Sequence, residues 1–242
     1  KEKSRVILAK GTSSSAPDFF QLLLEPITGR LRFYSPAITV NDPSGVLIND
    51  DTWHHIGVAY ANGRMQFYKD GKLVSTAEAK GAVDAGGKLT IGCSLQGDQS
   101  FGGHLAHLNI FGAALSPVDM NDQYYEQETA AWNLGEGSGM VVHDNNAGKN
   151  NGQIFKAVWA PGKGSSFSKV LSFQEPGSHV SIDAPGIDLP GRFTIAAWVQ
   201  APRQRAQARV ILAKGNKGKS SDNSMGVLNQ ICCCSCSSPC CQ

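Results

Sequence analysis

The chain holds 242 residues, with 22 Lys and Arg against 20 Asp and Glu, a formal charge of +2 at pH 7. Charged residues make up only 17% and the two signs are mixed, which excludes the basic field of a nucleic-acid or anionic-membrane binder. Apolar residues, 41% of the total, are enough for a sizeable core, and no window approaches the ~18 consecutive apolar residues of a membrane span.

The 27 Gly and 11 Pro favour many turns over long helices. Lys1 leads directly to Val6-Ile7-Leu8, with no initiator Met and no charged-then-apolar leader, so the chain reads as a piece of something longer. Phe19 to Leu24, the turn Pro26-Ile27-Thr28-Gly29, and Arg30 to Tyr34 read as a hairpin. Ile56, Val58 and Tyr60 alternate along a strand that ends at Ala61-Asn62-Gly63. Met65 to Lys69 continue as a second strand, and Asp70-Gly71 turns into a third beginning at Leu73-Val74. Asn-Gly and Asp-Gly supply positive φ at little cost, so the three strands are expected to form a meander. Lys88 to Cys93 and His104 to Phe111 are two further strands. Ser116-Pro117, an N-cap followed by a first-turn proline, predicts one helix over Val118 to Gln127. Strands return at Lys169 to Phe173, His179 to Ile182, Phe193 to Val199 and Arg209 to Ala213, which makes this a two-sheet β architecture.

An internal repeat marks the organisation. Arg5-Val6-Ile7-Leu8-Ala9-Lys10-Gly11 recurs letter for letter as Arg209-Val210-Ile211-Leu212-Ala213-Lys214-Gly215, 204 residues later. That period is too long for a solenoid unit and suits a whole β-sandwich domain, so the chain is expected to be cut from a tandem array. Cys93 lies in the body, whereas Cys232, Cys233, Cys234, Cys236, Cys240 and Cys241 crowd at the end, a spacing that cannot close the loops of a disulfide framework.

Trp53 to Tyr60 with Phe67 to Val74, then Leu89 to Gly92, Phe101 to Leu105 and Ala114 to Pro117, resembles the second half of a laminin-G-like jelly roll of the concanavalin A-like lectin/glucanase superfamily. Trp132 to Gly139, the Asn/Gly-rich stretch 144–152, Leu171 to Phe173, Val180 to Ile182 and Phe193 to Val199 are similar to its first half. The resemblance spans roughly residues 5–216. It implies an all-β, two-sheet antiparallel jelly-roll sandwich with one short helix. It also divides the chain into the C-terminal half of one domain (1–131), the N-terminal half of the next (132–226) and a Cys-rich tail (227–242). The halves stand in inverted order, so they are expected to pair as one circularly permuted sandwich in which Val6–Gly11 and Val210–Gly215 compete for one slot.

The superfamily includes glycoside hydrolases with paired carboxylates on one strand face, but the acidic residues Asp50, Asp51, Glu126, Glu128, Asp183 and Asp188 offer no such pair, and no catalytic residue is assigned. His54 and His55, as strand neighbours, should face opposite ways, one packed and one solvated. His104 and His107 are also expected on opposite faces. The resemblance makes calcium the candidate metal. The family's carboxylates are missing at Leu134-Gly135-Glu136 and at Leu105-Ala106-His107-Leu108, which leaves Asp144, Asn145, Asn146, Asn150 and Asn151 as the candidate ligands, against the alternative of Asx turns in a tight loop. Trp53, Trp132 and Trp159 are the candidate sugar platforms, with Trp159 borne on a loop; Trp198, in an apolar run, is expected in the core.

By resemblance the chain is a non-catalytic binding or adhesion module of an extracellular or cell-surface repeat protein. Its expected partners are a glycan or glycoprotein and the neighbouring repeats. A spacer without its own ligand and an accessory domain of a secreted hydrolase are the alternatives.

Overall fold

A computed structural model describes residues 5–10, 19–25, 28–40, 46–81, 87–97, 99–122, 128–146, 150–164, 166–183, 187, 191–203 and 210–214. Seventeen strands and one helix occupy them. The first stretch carries β1 (Arg5–Lys10), β2 (Phe20–Leu24), β3 (Leu31–Tyr34), β4 (Thr39–Val40), β5 (Trp53–Ala61), β6 (Arg64–Lys69), β7 (Lys72–Lys80), β8 (Leu89–Ile91), β9 (His104–Phe111), α1 (Pro117–Asp122) and β10 (Glu128–Trp132). The second carries β11 (Val141–Val142), β12 (Gly152–Phe155), β13 (Val158–Pro161), β14 (Lys169–Ser172), β15 (His179–Ile182), β16 (Phe193–Gln200) and β17 (Val210–Lys214).

The turns form where the sequence supplies positive φ. Gly29 (φ 67°) closes the first hairpin, where the amide of Glu25 donates to the Arg30 carbonyl. Asn62-Gly63 and Asp70-Gly71 have φ of 52°, 73°, 50° and 74°, the left-handed pair that matches strand twist. The helix starts as expected: Ser116 Oγ accepts from the Asp119 amide, and the Asp119 carboxylate accepts from the amide and hydroxyl of Ser116. It is described to Asp122; residues 123–127 and the tail 227–242 lie outside the described residues.

Two sheets face each other. One runs β11-β12-β15-β8-β1-β17-β2-β3; the other runs β13-β14-β9-β16-β5-β6-β7-β4, with β10 beside β9. Strands from both stretches interleave in each sheet, as a permuted sandwich requires. Strand β16 stands between β5 and β9, with Ile195 opposite Val58 on one flank and Ile110 on the other. On the other side, β15 pairs with β8, Val180 against Ile91. Ile56, Val58, Phe67, Phe173, Val180, Phe193, Ile195 and Val199 belong to one buried cluster. The Phe193 ring lies 5.6 Å from the rings of Phe33 and Tyr60, so the two stretches share one interior.

The outer face of the β16 sheet is also covered. Helix α1 lays Met120 over Ala59, Tyr68, Phe111 and Ala196. Gly57 makes room for it, since a Cβ there would lie 2.5 Å from the Met120 sulfur. The segment before the helix is latched by Thr194, whose hydroxyl accepts from the Leu115 amide and donates to the Ala113 carbonyl, both at 2.8 Å.

Two expectations are corrected here. Trp198 is not in the core: Ile195, Ala197 and Val199 take the inner face, so alternation turns Trp198 outward, where it is half-buried. Trp159 is not loop-borne: it stands in β13, opposite Leu171 of β14, and its half-buried ring packs on the core while neighbouring Val158 faces solvent.

If the two stretches share one core, Ile195→Ala should cost about 2–5 kcal/mol and shift a single cooperative transition in a urea titration followed by fluorescence and circular dichroism. Two separable transitions, with only one displaced, would contradict a common interior.

Candidate functional site

Beyond the part of the outer face covered by α1, the chain crosses back over the same sheet. Residues 162–164 and 166–168 lie over the ends of β9, β16 and β5, and Phe167 is the anchor. Its ring centroid is 4.9 Å from His107 in a stacked arrangement, 5.6 Å from Trp198 and 5.7 Å from Trp53. Trp53 is half-buried, 6.4 Å from His104, and its indole N–H donates to the Lys163 carbonyl at 3.0 Å. His55 sits beside Trp198 at 5.4 Å.

A bulge in β9 makes this cluster possible. Against β16 the register passes from Asn109 opposite Ala196 to Ala106 opposite Trp198, leaving two residues of β9 against Ala197. His107, with φ 47°, is at that irregularity, and its amide donates to the Asn133 carbonyl. The extra residue resets the alternation, so His104 and His107 both reach the aromatic cluster on the outer face. The expectation that they point opposite ways fails for this reason. Burial lowers the pKa of His107; burial likewise lowers that of His104, with the Asp51 charge opposing it, so both rings favour the neutral form.

Adjoining the cluster is an open groove of about 540 Å³ lined by His107, Asn133, Gly135, Glu136, His143, Asn145 and the segment Ser166 to Lys169. Glu136 Oε1 accepts from the His143 amide at 2.8 Å and lies 3.6 Å from His143 Nδ1. The groove therefore offers one carboxylate, two imidazoles, two amide side chains, an ammonium and one aromatic edge. The candidates read from sequence meet it only in part: Asn145 lines it and Trp53 flanks its aromatic wall. Trp132 is fully buried, with its indole N–H on the Asn150 carbonyl at 2.8 Å, and a ring with no exposed face cannot stack on a ligand. Trp159 donates to the Gly139 carbonyl at 2.9 Å and stands apart from the Phe167 cluster. Phe167 was legible as a lone aromatic in a Gly/Ser-rich loop, but nothing local predicts where that loop lies.

Among the described residues 144–146, 150 and 151, the one carboxylate is already engaged by N–H donors. Asp144 is buried, and its Oδ1 accepts from the amides of Ala131 and Asn146 while its Oδ2 accepts from the Asn150 side-chain amide at 2.7 Å. Asn151 Oδ1 accepts from the Asp144 amide. The Asp144 carboxylate and Asn151 Oδ1 are thus turned onto N–H donors that a hard cation would have to displace, and the Asp144–Asn146 bond is of the Asx-turn kind. Among the described residues no group of three or more His, Cys, Asp or Glu side chains is placed to hold a metal ion.

The adjacent histidines diverge as the strand geometry requires, yet neither is solvated. His54 is held between two carboxylates, Nδ1 on Asp70 at 2.9 Å and Nε2 on Asp50 at 3.0 Å, with Thr52 beside it. Both ring nitrogens are engaged, so this group ties the 46–52 segment to the β6–β7 turn. Burial works against the Asp50 carboxylate, but hydrogen bonds from Thr52 and His54 hold its pKa well below the usual carboxylate range. His55 is buried on the opposite side; burial pushes its pKa down to about 4, opposed by the charge of Asp70.

A laminin G family model, described as the concanavalin A-like lectin/glucanases superfamily, matches residues 1–120. No curated protein and no solved structure matches the chain.

Because the folded pKa of His55 lies below the unfolded value of 6.5, the unfolded chain takes up the proton first as pH falls. Stability is expected to be complete above about pH 6.5 and to decline as the pH drops towards about 4. Thermal melts across this window should show a shallower decline for His55→Phe, with His104 and His107 supplying the remainder. An unchanged slope in that variant would remove His55 from the account.

Proposed function

We propose that this chain, whose residues 1–120 belong to the concanavalin A-like lectin/glucanase superfamily, is a non-catalytic module that recognises a glycan or glycoprotein through the groove beside Phe167. The superfamily supports a carbohydrate-binding or adhesion-type module. The observation that carries the finer reading is the composition of the groove: an aromatic ring beside amide, imidazole, carboxylate and ammonium groups, on an open rim. Hydroxyl-rich ligands need paired donors and acceptors, and the Phe167 edge offers an apolar contact to their C–H groups.

The absence of catalysis is supported by the same lining. Glycoside hydrolysis uses two carboxyl groups facing each other across the scissile bond, and Glu136 is the one carboxylate among the described residues of the groove. The internal repeat and the interleaved strands support reading 1–131 and 132–226 as complementary halves of neighbouring laminin-G-like domains in an extracellular or cell-surface array.

On a glycan array, binding is expected with and without added Ca²⁺, since the Asp144 loop is satisfied internally. Phe167→Ala and Glu136→Gln should each weaken the best ligand by roughly tenfold, about 1.4 kcal/mol, with the thermal midpoint preserved within a few degrees. Silence on the array in both conditions would favour the spacer reading, and full binding by both variants would move the site elsewhere.

A further inference from the structure

One corner of the sandwich is apolar on its outside. Strand β11 ends one sheet and β13 ends the other, and the chain passes from β12 to β13 through Phe155-Lys156-Ala157-Val158. Lys156, with φ 56°, stands in that turn, and the Ala157 amide donates to the Phe155 carbonyl at 2.7 Å. The 138–141 segment is tied to it. The Met140 carbonyl accepts from the Ile154 amide at 2.8 Å, and the Gly139 carbonyl accepts the Trp159 indole N–H at 2.9 Å.

Four of the nine large apolar side chains exposed among the described residues are gathered here: Met140 (55%), Val141 (37%), Phe155 (44%) and Val158 (58%). Scattered singly, such residues need no explanation; gathered on two hydrogen-bonded segments, they mark a contact surface. The Phe155 ring is held in place by His179, stacked at 4.9 Å and 12° from parallel.

The chemistry of the corner suits a lipid bilayer. Segments 138–141 and 155–159 carry one charged side chain, the exposed Lys156, and no carboxylate, a pattern complementary to the phosphate of a lipid headgroup. A lysine can hold its ammonium at headgroup level while its stem lies along apolar surroundings. Trp159 has the division an interface favours, with its ring packed on the core and its N–H on a polar acceptor. A second copy of the chain gains little here, because β11 and β13 are edge strands of two and four residues and Pro161 has no N–H.

We propose that the corner formed by 138–141 and 155–159 is a membrane-docking tip, which seats Met140, Val141, Phe155 and Val158 among the headgroups and upper acyl chains of a bilayer, with Lys156 at the level of the phosphates. The mixed charge of the chain excludes recruitment by anionic lipid, so docking is driven by apolar burial and takes place on zwitterionic lipid. The proposal is independent of the ligand assigned to the Phe167 groove.

The full chain is expected to co-sediment with phosphatidylcholine vesicles, and added salt should change its partition by less than about twofold. Met140→Asp and Val158→Asp should each weaken that partition by roughly tenfold, and the double variant should abolish it. Both sites are exposed, so the thermal midpoint should stay within a few degrees of the parent. Depth provides the second readout: bromine-labelled phosphatidylcholine should quench the tryptophan emission of the parent, and that quenching should largely disappear in Trp159→Phe although the variant still binds. Failure to bind phosphatidylcholine vesicles, undiminished binding by the double variant, or quenching that survives in Trp159→Phe would overturn the tip. A concentration-dependent dimer of the parent that the double variant dissolves would do so as well, since the corner would then join two copies of the chain.

Discussion

The burial of β16 between β5 and β9 is the constraint on which the rest of the molecule depends. Its inward residues, Phe193, Ile195, Ala197 and Val199, fill the space between the sheets, and its backbone is hydrogen-bonded along both flanks. Without it, residues 5–131 would present an open sheet with an apolar face and unpaired ladders, and so would residues 132–208. Either would be a poor candidate for a stable monomer. The order in which the stretches occur along the chain matters less than their complementarity, because the interior is set by contacts across it and not by connectivity.

The same strand places the candidate site. Alternation that sends Ile195 and Val199 inward sends Thr194, Ala196 and Trp198 outward, and each outward residue is used differently. Thr194 latches the segment before α1, Ala196 receives Met120, and Trp198 meets Phe167. One outer face thus carries a hydrocarbon seal at one end and an aromatic, imidazole-rich contact at the other. The groove opens beside the second, where polar groups from β9, from the 133–145 stretch and from the 166–169 segment converge.

Much of this was legible in the sequence wherever the information is local. Asn62-Gly63 and Asp70-Gly71 specify their turns by backbone conformation alone, and Ser116-Pro117 starts the helix. What could not be read depends on partners distant in the chain. An apolar run suggested that Trp198 is buried among its neighbours, because hydrophobicity reports burial without reporting on which side of a sheet the burial occurs. The bulge at His107 reverses parity midway along β9, and no residue type in Leu105-Ala106-His107-Leu108 announces it. Trp159 looked exposed beside Ala160-Pro161-Gly162 because its partner strand, β14, lies beyond the intervening loop. The Asn-rich stretch offered either a cation loop or Asx turns, and which of the two applies depends on donors such as the Ala131 amide, which lies 13 residues before Asp144.

Both sheets end, among the described residues, in β11, β3, β13 and β4, strands of two to four residues. The outermost of these in one sheet, β13, includes Pro161, which has no N–H to offer. Borders this short give another polypeptide almost nothing to zip onto. Edge-to-edge pairing of one such sandwich with another is therefore disfavoured at these four borders.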